Sequence, residues 1–319
     1  MSEKKEILIT GISGFVGTNL LNFLLNNDDS TSITGVSRNK EKISHLTSKI
    51  HRVCSFDEIY DGDYSFDTYV HLSGKVYNIR DKSDDSEYFQ ANYEATKRLF
   101  DCFVKDERAK KFIFLSTIHV LTESPEMELD ESYQPEPFTP YGKSKFEAEQ
   151  HIQNYCPDDK KYYILRPSII HGPGNKGNLN LLYNLIKNGL PYPFGACNNK
   201  RSFVSVDNLC FVLYQFIQQD IQKGLYHVAD DDPTYTHELV ELIAEITNSR
   251  KRVWNVPLSV LNMIAKIGNV IPIPLNEHRF NKLTGDFIVS NKKLKKAIGK
   301  ELPVSSKDGL KKTLKKIEG

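Results

Sequence analysis

The 319-residue sequence has few cysteines, a single tryptophan and no long apolar run. Its five cysteines form no Cys-x-x-Cys pair, so neither a zinc site nor a redox pair is indicated. No apolar run reaches the ~18 residues of a membrane-spanning helix. Residues 1–6 lack the apolar stretch of a signal peptide. We therefore expect a cytoplasmic protein with no membrane span and no metal.

The sequence also lacks an excess of either charge. It has 42 basic and 41 acidic residues, a formal net charge of +1, which argues against a dedicated nucleic-acid binder. The length corresponds to one large domain or two smaller ones. Such a chain buries roughly three quarters of its unfolded surface, so it needs no disulfides to hold a core.

Short apolar runs alternate with longer amphipathic ones through the first 170 residues. The short runs are apolar throughout rather than alternating, which is typical of a parallel sheet covered by helices on both faces. The fold class is therefore α/β, with a doubly wound parallel sheet. We predict strands at 7–9, 33–36, 69–72, 112–115 and 162–165, and helices at 14–26, 87–104 and 141–154.

A glycine-rich turn, TGISGFVG at 10–17, follows the first predicted strand and opens the first helix. Gly11 would permit a tight turn, Gly14 a close approach of the backbone to a pyrophosphate, and Gly17 close packing of helix on sheet. The anion would lie on free N–H groups at the helix N-terminus. A turn without a ligand is the alternative, but this position at the first strand–helix junction favours a dinucleotide.

The end of the second strand bears on which dinucleotide binds. An acidic residue there would accept hydrogen bonds from the adenosine ribose of NAD, but the sequence at 35–38 is GVSR. Arg38 has the chemistry to pair with a 2′-phosphate, which favours NADP slightly over NAD. The alternative is that Arg38 is a solvated surface residue.

Tyr141 and Lys145 lie four residues apart at the start of a predicted helix, on one face of it. A tyrosine with its usual pKa near 10 is a poor base at neutral pH. We expect the Lys145 ammonium to lower the pKa of Tyr141, so that the pair can exchange a hydroxyl proton while a nicotinamide exchanges a hydride. Thr117, just past the strand at 112–115, would hold the reacting oxygen.

Together these motifs resemble the extended short-chain dehydrogenase/reductase family, and within it the nucleotide-sugar epimerase/dehydratase branch. The resemblance extends over nearly the whole chain and implies a Rossmann fold. Its motifs are TGxxGxxG at 10–17, HLSG at 71–74, NxxxT at 92–96, ST at 116–117, YxxxK at 141–145, RPxxxxGPG at 166–174 and an RxFVxVDD-like segment at 201–208.

The resemblance implies a role for each matching residue. Thr117, Tyr141 and Lys145 would be catalytic. Asn178 and Arg201 would bind the nucleotide sugar, with Arg201 paired to its diphosphate. In addition to Tyr141 and Lys145, the cofactor contacts would be Gly11, Gly14, Phe15, Val16, Gly17, Ser37, Arg38, His71, Ser73, Gly74, Asn92 and Ser116.

One departure from the family narrows the reaction. Dehydratases of this branch place an Asp-Glu pair after the catalytic Ser/Thr, where this chain has Ile118 and His119. What remains is C4 epimerisation of a UDP-hexose or UDP-N-acetylhexosamine, or NADPH-dependent 4-keto reduction of a UDP-deoxyhexosamine. Remote alternatives are a non-catalytic dinucleotide sensor and a ketone or sterol dehydrogenase. The closest resemblance is to bacterial enzymes of surface-polysaccharide biosynthesis.

The resemblance also implies a domain organisation. Residues 1–167 would form the dinucleotide-binding Rossmann domain, and 168–319 a smaller C-terminal α/β domain that binds the nucleotide sugar. The helix at 207–219 would pack back on the first domain. Family members are often homodimers through a four-helix interface, here the helix at 87–104 and the helix that contains Tyr141.

Overall fold

The computed structural model describes residues 4–37, 50–76, 84–175, 178–249, 253–269, 271 and 275–318. Its centre is a seven-stranded parallel sheet in the order β10-β6-β5-β4-β1-β2-β3. The strands of this sheet are β1 Lys5–Thr10, β2 Thr31–Val36, β3 Arg52–Cys54, β4 Thr68–His71, β5 Lys111–Leu115, β6 Lys161–Pro167 and β10 Gly224–Val228. Four short strands lie outside it: β7 Ile169–His171, β8 Lys200–Arg201, β9 Phe203–Ser205 and β11 Thr234–Tyr235.

Helices cover both faces of this sheet. None of the helices described is both long and apolar enough to cross a bilayer. They are α1 Phe15–Asn27, α2 Phe56–Asp61, α3 Asp85–Tyr88, α4 Ala95–Lys105, α5 Pro140–Tyr155, α6 Asn178–Lys187, α7 Val206–Gln218, α8 Thr236–Ile246, α9 Leu258–Ile267, α10 Glu277–Thr284, α11 Lys292–Ile298 and α12 Ser306–Glu318. A π-helical stretch, Phe89–Glu94, joins α3 to α4, and a short 3₁₀ turn, Ile118–Val120, follows β5.

Side chains of each central strand alternate between two buried cores, which explains why the strands are apolar throughout. Ile7 and Ile9 of β1 pack with α1, α7 and α11, whereas Leu8 packs with α4 and α5 on the other face. The predicted doubly wound parallel sheet is therefore confirmed. The strand order reverses between β1 and β4, and ligands of such sheets bind at the carboxyl ends of the strands beside that reversal.

Beyond residue 167 the chain contributes to both the sheet and a second core. β10 pairs in parallel with β6, and α7 packs against α1. These two segments therefore complete the central sheet and one of its helical layers. Helices α6, α8, α9, α10 and α12 bury a separate apolar cluster. The exact division of the chain into domains at residue 167 stays a prediction.

Candidate active site

The turn between β1 and α1 is a cradle of backbone atoms. Gly11 has a φ of +68°, and a Cβ there would lie 2.8 Å from the backbone nitrogen of Ser73. A Cβ on Gly17 would lie 2.2 Å from the carbonyl oxygen of Gly11. No side chain caps α1 at Gly14, and the first turn of α1 has no acidic residue. The N–H groups at the start of α1 are therefore open to an anion such as a pyrophosphate.

The carboxyl end of β2 lies beside this cradle. The Ser37 backbone nitrogen donates to the carbonyl oxygen of Cys54 at 3.1 Å. The Ser37 Oγ lies 3.4 Å from the Oγ of Ser13 in the glycine turn. Arg38, the residue that favoured NADP, lies outside the described residues.

The start of helix α5 is set by a capping residue and a proline in its sequence. Thr139 caps it by accepting from the backbone nitrogen of Gly142 at 3.1 Å, and Pro140 occupies the first turn, where its missing N–H costs nothing. This start places Tyr141 in the first turn and Lys145 one turn later. Both side chains are buried at the carboxyl edge of the sheet.

Burial dominates the electrostatics of the pair. Burial raises the pKa of Tyr141 to about 12, although a hydrogen bond with the Thr117 side chain acts in the opposite direction and lowers this pKa. Burial also lowers the pKa of Lys145 to about 7, against the raising influence of Glu149. The Lys145 Nζ donates to the carbonyl oxygen of Leu115 at 2.9 Å. The expected lowering of the Tyr141 pKa by Lys145 is therefore not found: burial raises this pKa, and the lowering influence comes from the Thr117 hydrogen bond.

A buried ion pair lies one helical turn beyond Lys145. Glu149, one turn beyond Lys145, accepts from the Nε of Arg166 on β6 at 3.0 Å, and both side chains are almost fully buried. Ser116 also donates its hydroxyl to Glu149. The Ser116 hydroxyl is thus bonded to a buried carboxylate at the end of β5. Its contact with the cofactor stays a prediction.

Asn92 anchors the loop after β4. Its Oδ1 accepts from the backbone nitrogen of Lys75 at 2.7 Å, and its Nδ2 donates to the Lys75 carbonyl and to the Ser144 Oγ, each at 3.0 Å. The loop approaches so closely that a Cβ on Gly74 would lie 3.1 Å from the Lys145 Nζ. Asn92 therefore holds the loop beside α5, and both N–H groups of its side-chain amide are used there.

Three more residues predicted to contact the cofactor lie at least partly in the core. His71 is fully buried, and its two ring nitrogens lie 2.6 Å and 2.9 Å from the hydroxyls of Thr10 and Thr96. Burial lowers the pKa of His71 to about 3, so the ring is neutral and supports the strand end. Phe15 and Val16 are partly buried and pack against the sheet.

Positive charge lies around the 3₁₀ turn after Thr117. Arg201 on β8 is partly buried, and its guanidinium donates to the carbonyl oxygen of Lys282 on α10. The pKa of His119 is lowered to about 4, mainly by burial and also by Lys282 and Arg201, while Glu123 raises it. Glu123 balances part of this charge by pairing with the Lys282 Nζ at 3.0 Å. The fold therefore brings Arg201 towards the same turn as the catalytic candidates.

The other predicted substrate residue, Asn178, is the first residue of α6, and its side chain lies outside what the structure describes. The sequence analysis did not single out Glu149, Arg166 or Lys282. For Glu149 a signal exists, because it follows Lys145 by four residues on one helix face. Arg166 and Lys282 come from other elements, and no local spacing indicates their contacts.

Comparisons with known proteins show the family of the chain. A protein-family model described as "NAD dependent epimerase/dehydratase family" matches residues 7–229 of the chain. A UDP-glucose 4-epimerase of Vibrio cholerae is 28% identical to this chain, over 97% of it and 94% of that protein. An N-acetyl-alpha-D-glucosaminyl-diphospho-ditrans,octacis-undecaprenol 4-epimerase of Escherichia coli O157:H7 is 27% identical, over 77% of this chain and 73% of that protein.

A solved structure shares the fold. UDP-glucuronic acid 4-epimerase from Bacillus cereus, in complex with NAD, superposes with a TM-score of 0.76. The two chains are 18% identical, and the match covers 98% of this chain and 96% of that one.

Proposed function

The chain belongs to the NAD-dependent epimerase/dehydratase family of enzymes, and from that premise we propose that it inverts C4 of a UDP-hexose or UDP-N-acetylhexosamine. The observation that supports this most is the buried group of Thr117, Tyr141 and Lys145, which lies at the carboxyl edge of the sheet beside the glycine cradle. Proton exchange at a sugar hydroxyl needs a group of this kind. Ile118 and His119 follow it, so the acidic pair of a dehydratase is missing.

The chain's own residues hold and move the proton in this proposal. Tyr141 takes the proton of the sugar O4 and returns it, and Thr117, hydrogen-bonded to Tyr141, holds O4 in reach. A protonated Lys145 would favour the Tyr141 phenolate by its positive charge, against the burial that raises the pKa of Tyr141. NAD, when bound, supplies the acceptor and donor of the C4 hydride. Since the reaction has no net redox change, the enzyme has no need to release the dinucleotide.

The glycine cradle fits such a dinucleotide. It has an uncapped helix N-terminus and glycines whose absent Cβ atoms leave room for backbone contact. We propose NAD rather than NADP, because the Bacillus cereus epimerase binds NAD. The opposite preference, suggested by Arg38, stays a prediction that the nucleotide analysis below decides.

Arg201 is proposed to bind the diphosphate of the substrate, with Lys282 adding charge beside it. A guanidinium matches phosphate oxygens in geometry and charge. We propose that the diphosphate joins the sugar to uridine, which we call the carrier. The relative from Escherichia coli acts on a sugar diphosphate joined to undecaprenol, so the carrier is the feature on which relatives differ.

Two measurements on the freshly purified protein test this function. We expect denaturation to release stoichiometric NAD, identified by mass. We also expect NMR to show interconversion of UDP-N-acetylglucosamine and UDP-N-acetylgalactosamine, or of the corresponding UDP-hexoses, without added cofactor. Release of NADP, or an empty site that consumes NADPH with a 4-keto sugar, would instead establish the reductase.

Two glycine variants separate dinucleotide binding from folding. A Cβ on Gly14 would approach only the Gly11 carbonyl, at 3.1 Å, and its φ of −81° suits any residue. We expect Gly14→Ala to fold normally and to weaken NAD binding about tenfold or more, because the methyl occupies the approach of the pyrophosphate. Gly17→Ala should lose about 1–3 kcal/mol of stability through its backbone clash. Equal NAD affinity of wild type and Gly14→Ala, by calorimetry, would contradict the cradle assignment.

A homodimer through α4 and α5 remains part of the proposal. The two helices pack side by side. A surface formed by these helices and the π-helical stretch before α4 is lined by Tyr93, Lys97, His151 and Tyr155.

A further inference from the structure

Glu123 differs from the other acidic residues of its segment. Between the 3₁₀ turn after Thr117 and the start of α5, the sequence has six acidic residues and no basic one. Four of them are exposed to solvent: Glu126, Glu128, Asp130 and Glu136. The Glu123 side chain is only 11% exposed. A carboxylate this close to full burial needs bonding partners, and those of Glu123 come from a distant part of the chain.

Both partners of Glu123 lie on helix α10. Its Oε1 accepts a hydrogen bond from the Lys282 Nζ at 3.0 Å, and its Oε2 lies 3.0 Å from the Nε2 of His278. His278 and Lys282 are four residues apart, so they share one face of the helix. Two contacts on one helix face fix the rotation of α10 about its axis as well as its distance from the turn.

A ring contact adds to the same attachment. The His278 ring stacks on the ring of Phe138, with centroids 5.2 Å apart and an angle of 25° between the planes. Phe138 immediately precedes Thr139, the residue that caps α5, and Tyr141 follows two residues later. Helix α10 is therefore attached to both segments that hold the catalytic candidates, the turn after Thr117 and the start of α5.

Helix α10 also contacts the strand that contains Arg201. The Arg201 guanidinium donates to the carbonyl oxygen of Lys282. Just beyond α10, the backbone of Phe287 donates to the Lys200 carbonyl and accepts from the Ser202 nitrogen, each at 2.8 Å. The position of α10 therefore bears on that of Arg201 through its side chain and through the backbone of β8.

We propose that Glu123 is a positioning residue, which holds α10 against the turn after Thr117 and thereby sets where Arg201 meets the substrate diphosphate. This inference rests on the proposed function for the identity of the substrate. Charge alone would not favour a carboxylate here, because negative charge beside Arg201 and Lys282 repels a diphosphate. A role through position and a role through charge therefore predict opposite effects on affinity.

Two substitutions of Glu123 separate these roles. Glu123→Ala removes both contacts with α10, so KM for the UDP-sugar and Kd for UDP should rise about tenfold or more, with kcat within about threefold of wild type. Glu123→Gln keeps an oxygen for the Lys282 ammonium, so its UDP affinity should stay within about threefold of wild type. Glu126→Ala, at an exposed position of the same segment, is the matched control and should equal wild type. Calorimetry measures Kd, and initial rates measure KM and kcat.

His278→Ala tests the same attachment independently of whether Glu123→Ala folds. The His278 side chain is 49% exposed, so its loss should not unfold the chain. The variant loses the ring stack and one of the two contacts with Glu123, and its Kd for UDP should rise about threefold or more. Amide hydrogen exchange along α10 should be faster than in wild type.

Three results would overturn the positioning role. They are wild-type UDP affinity in either alanine variant, tighter UDP binding in both Glu123 variants, which would show a role through charge, and an effect of Glu123→Ala on kcat alone. Turnover by the wild-type enzyme is measured separately. A wild type that binds UDP without turning over any UDP-sugar rejects only the proposed reaction. Normal turnover with unchanged UDP affinity of Glu123→Ala rejects only the positioning role.

Discussion

Replacing Tyr141 by phenylalanine is expected to lower kcat by about 10²- to 10⁴-fold, the usual contribution of a positioned acid–base group. The substitution removes only the hydroxyl that exchanges the proton with O4. Tyr141 is buried, and its ring packs in the first turn of α5, so the fold and the bound dinucleotide should be retained. Initial rates by NMR or a coupled assay measure the effect, with released NAD quantified on the same sample.

Tyr155 provides the matched control. It lies at the other end of α5 and is 65% exposed, so Tyr155→Phe deletes a hydroxyl from the same helix without touching the site. We expect its kcat to equal that of wild type. A Tyr141→Phe enzyme within about tenfold of wild type would show that another group exchanges the proton, and would remove the main support of the proposed mechanism.

The second large effect is on stability. Glu149→Ala is expected to cost about 3–5 kcal/mol of the free energy of unfolding, because it leaves the Arg166 guanidinium buried without its partner. Ser116 loses its acceptor in the same variant. Urea unfolding of the full chain measures the loss. Glu147→Ala, at an exposed position on the same helix, should stay within about 0.5 kcal/mol of wild type.

The isosteric variant Glu149→Gln tests the electrostatic link to the site. Glu149 raises the pKa of Lys145, which burial holds at about 7. Removing its charge should therefore move the pH limb of kcat/KM that reports Lys145 to lower pH. An unchanged pH profile together with the full loss of stability would limit Glu149 to a structural role.

Most of the central sheet was predictable, because each of its early elements satisfies a local rule. The predicted strands at 7–9, 33–36, 112–115 and 162–165 lie within β1, β2, β5 and β6. The sequence analysis missed β3 and β10. β3 has only three residues, and β10 pairs with β6 from more than fifty residues away, a contact that no local pattern encodes.

The same distinction holds in the active site. The glycine turn and the Tyr141–Lys145 pair depend on spacing within one segment, and the structure brings them to the same edge of the sheet. The roles of His71, Asn92 and Ser116 depend on partners from other elements. His71 contacts threonine hydroxyls, Asn92 binds the backbone of the loop after β4, and Ser116 donates to Glu149. The sequence motifs did not indicate these partners.

The sequence by itself determined the alternation of strands and helices, the cradle at 10–17 and the four-residue spacing of Tyr141 and Lys145, since periodicity and turn chemistry act over a few residues. Only the tertiary structure decided the direction of the pKa shifts of Tyr141 and Lys145 and the burial of the Glu149–Arg166 pair. Burial is the combined effect of elements that are distant in the chain. A side chain's desolvation, and with it its pKa and its availability for contact, is therefore set only when those elements pack.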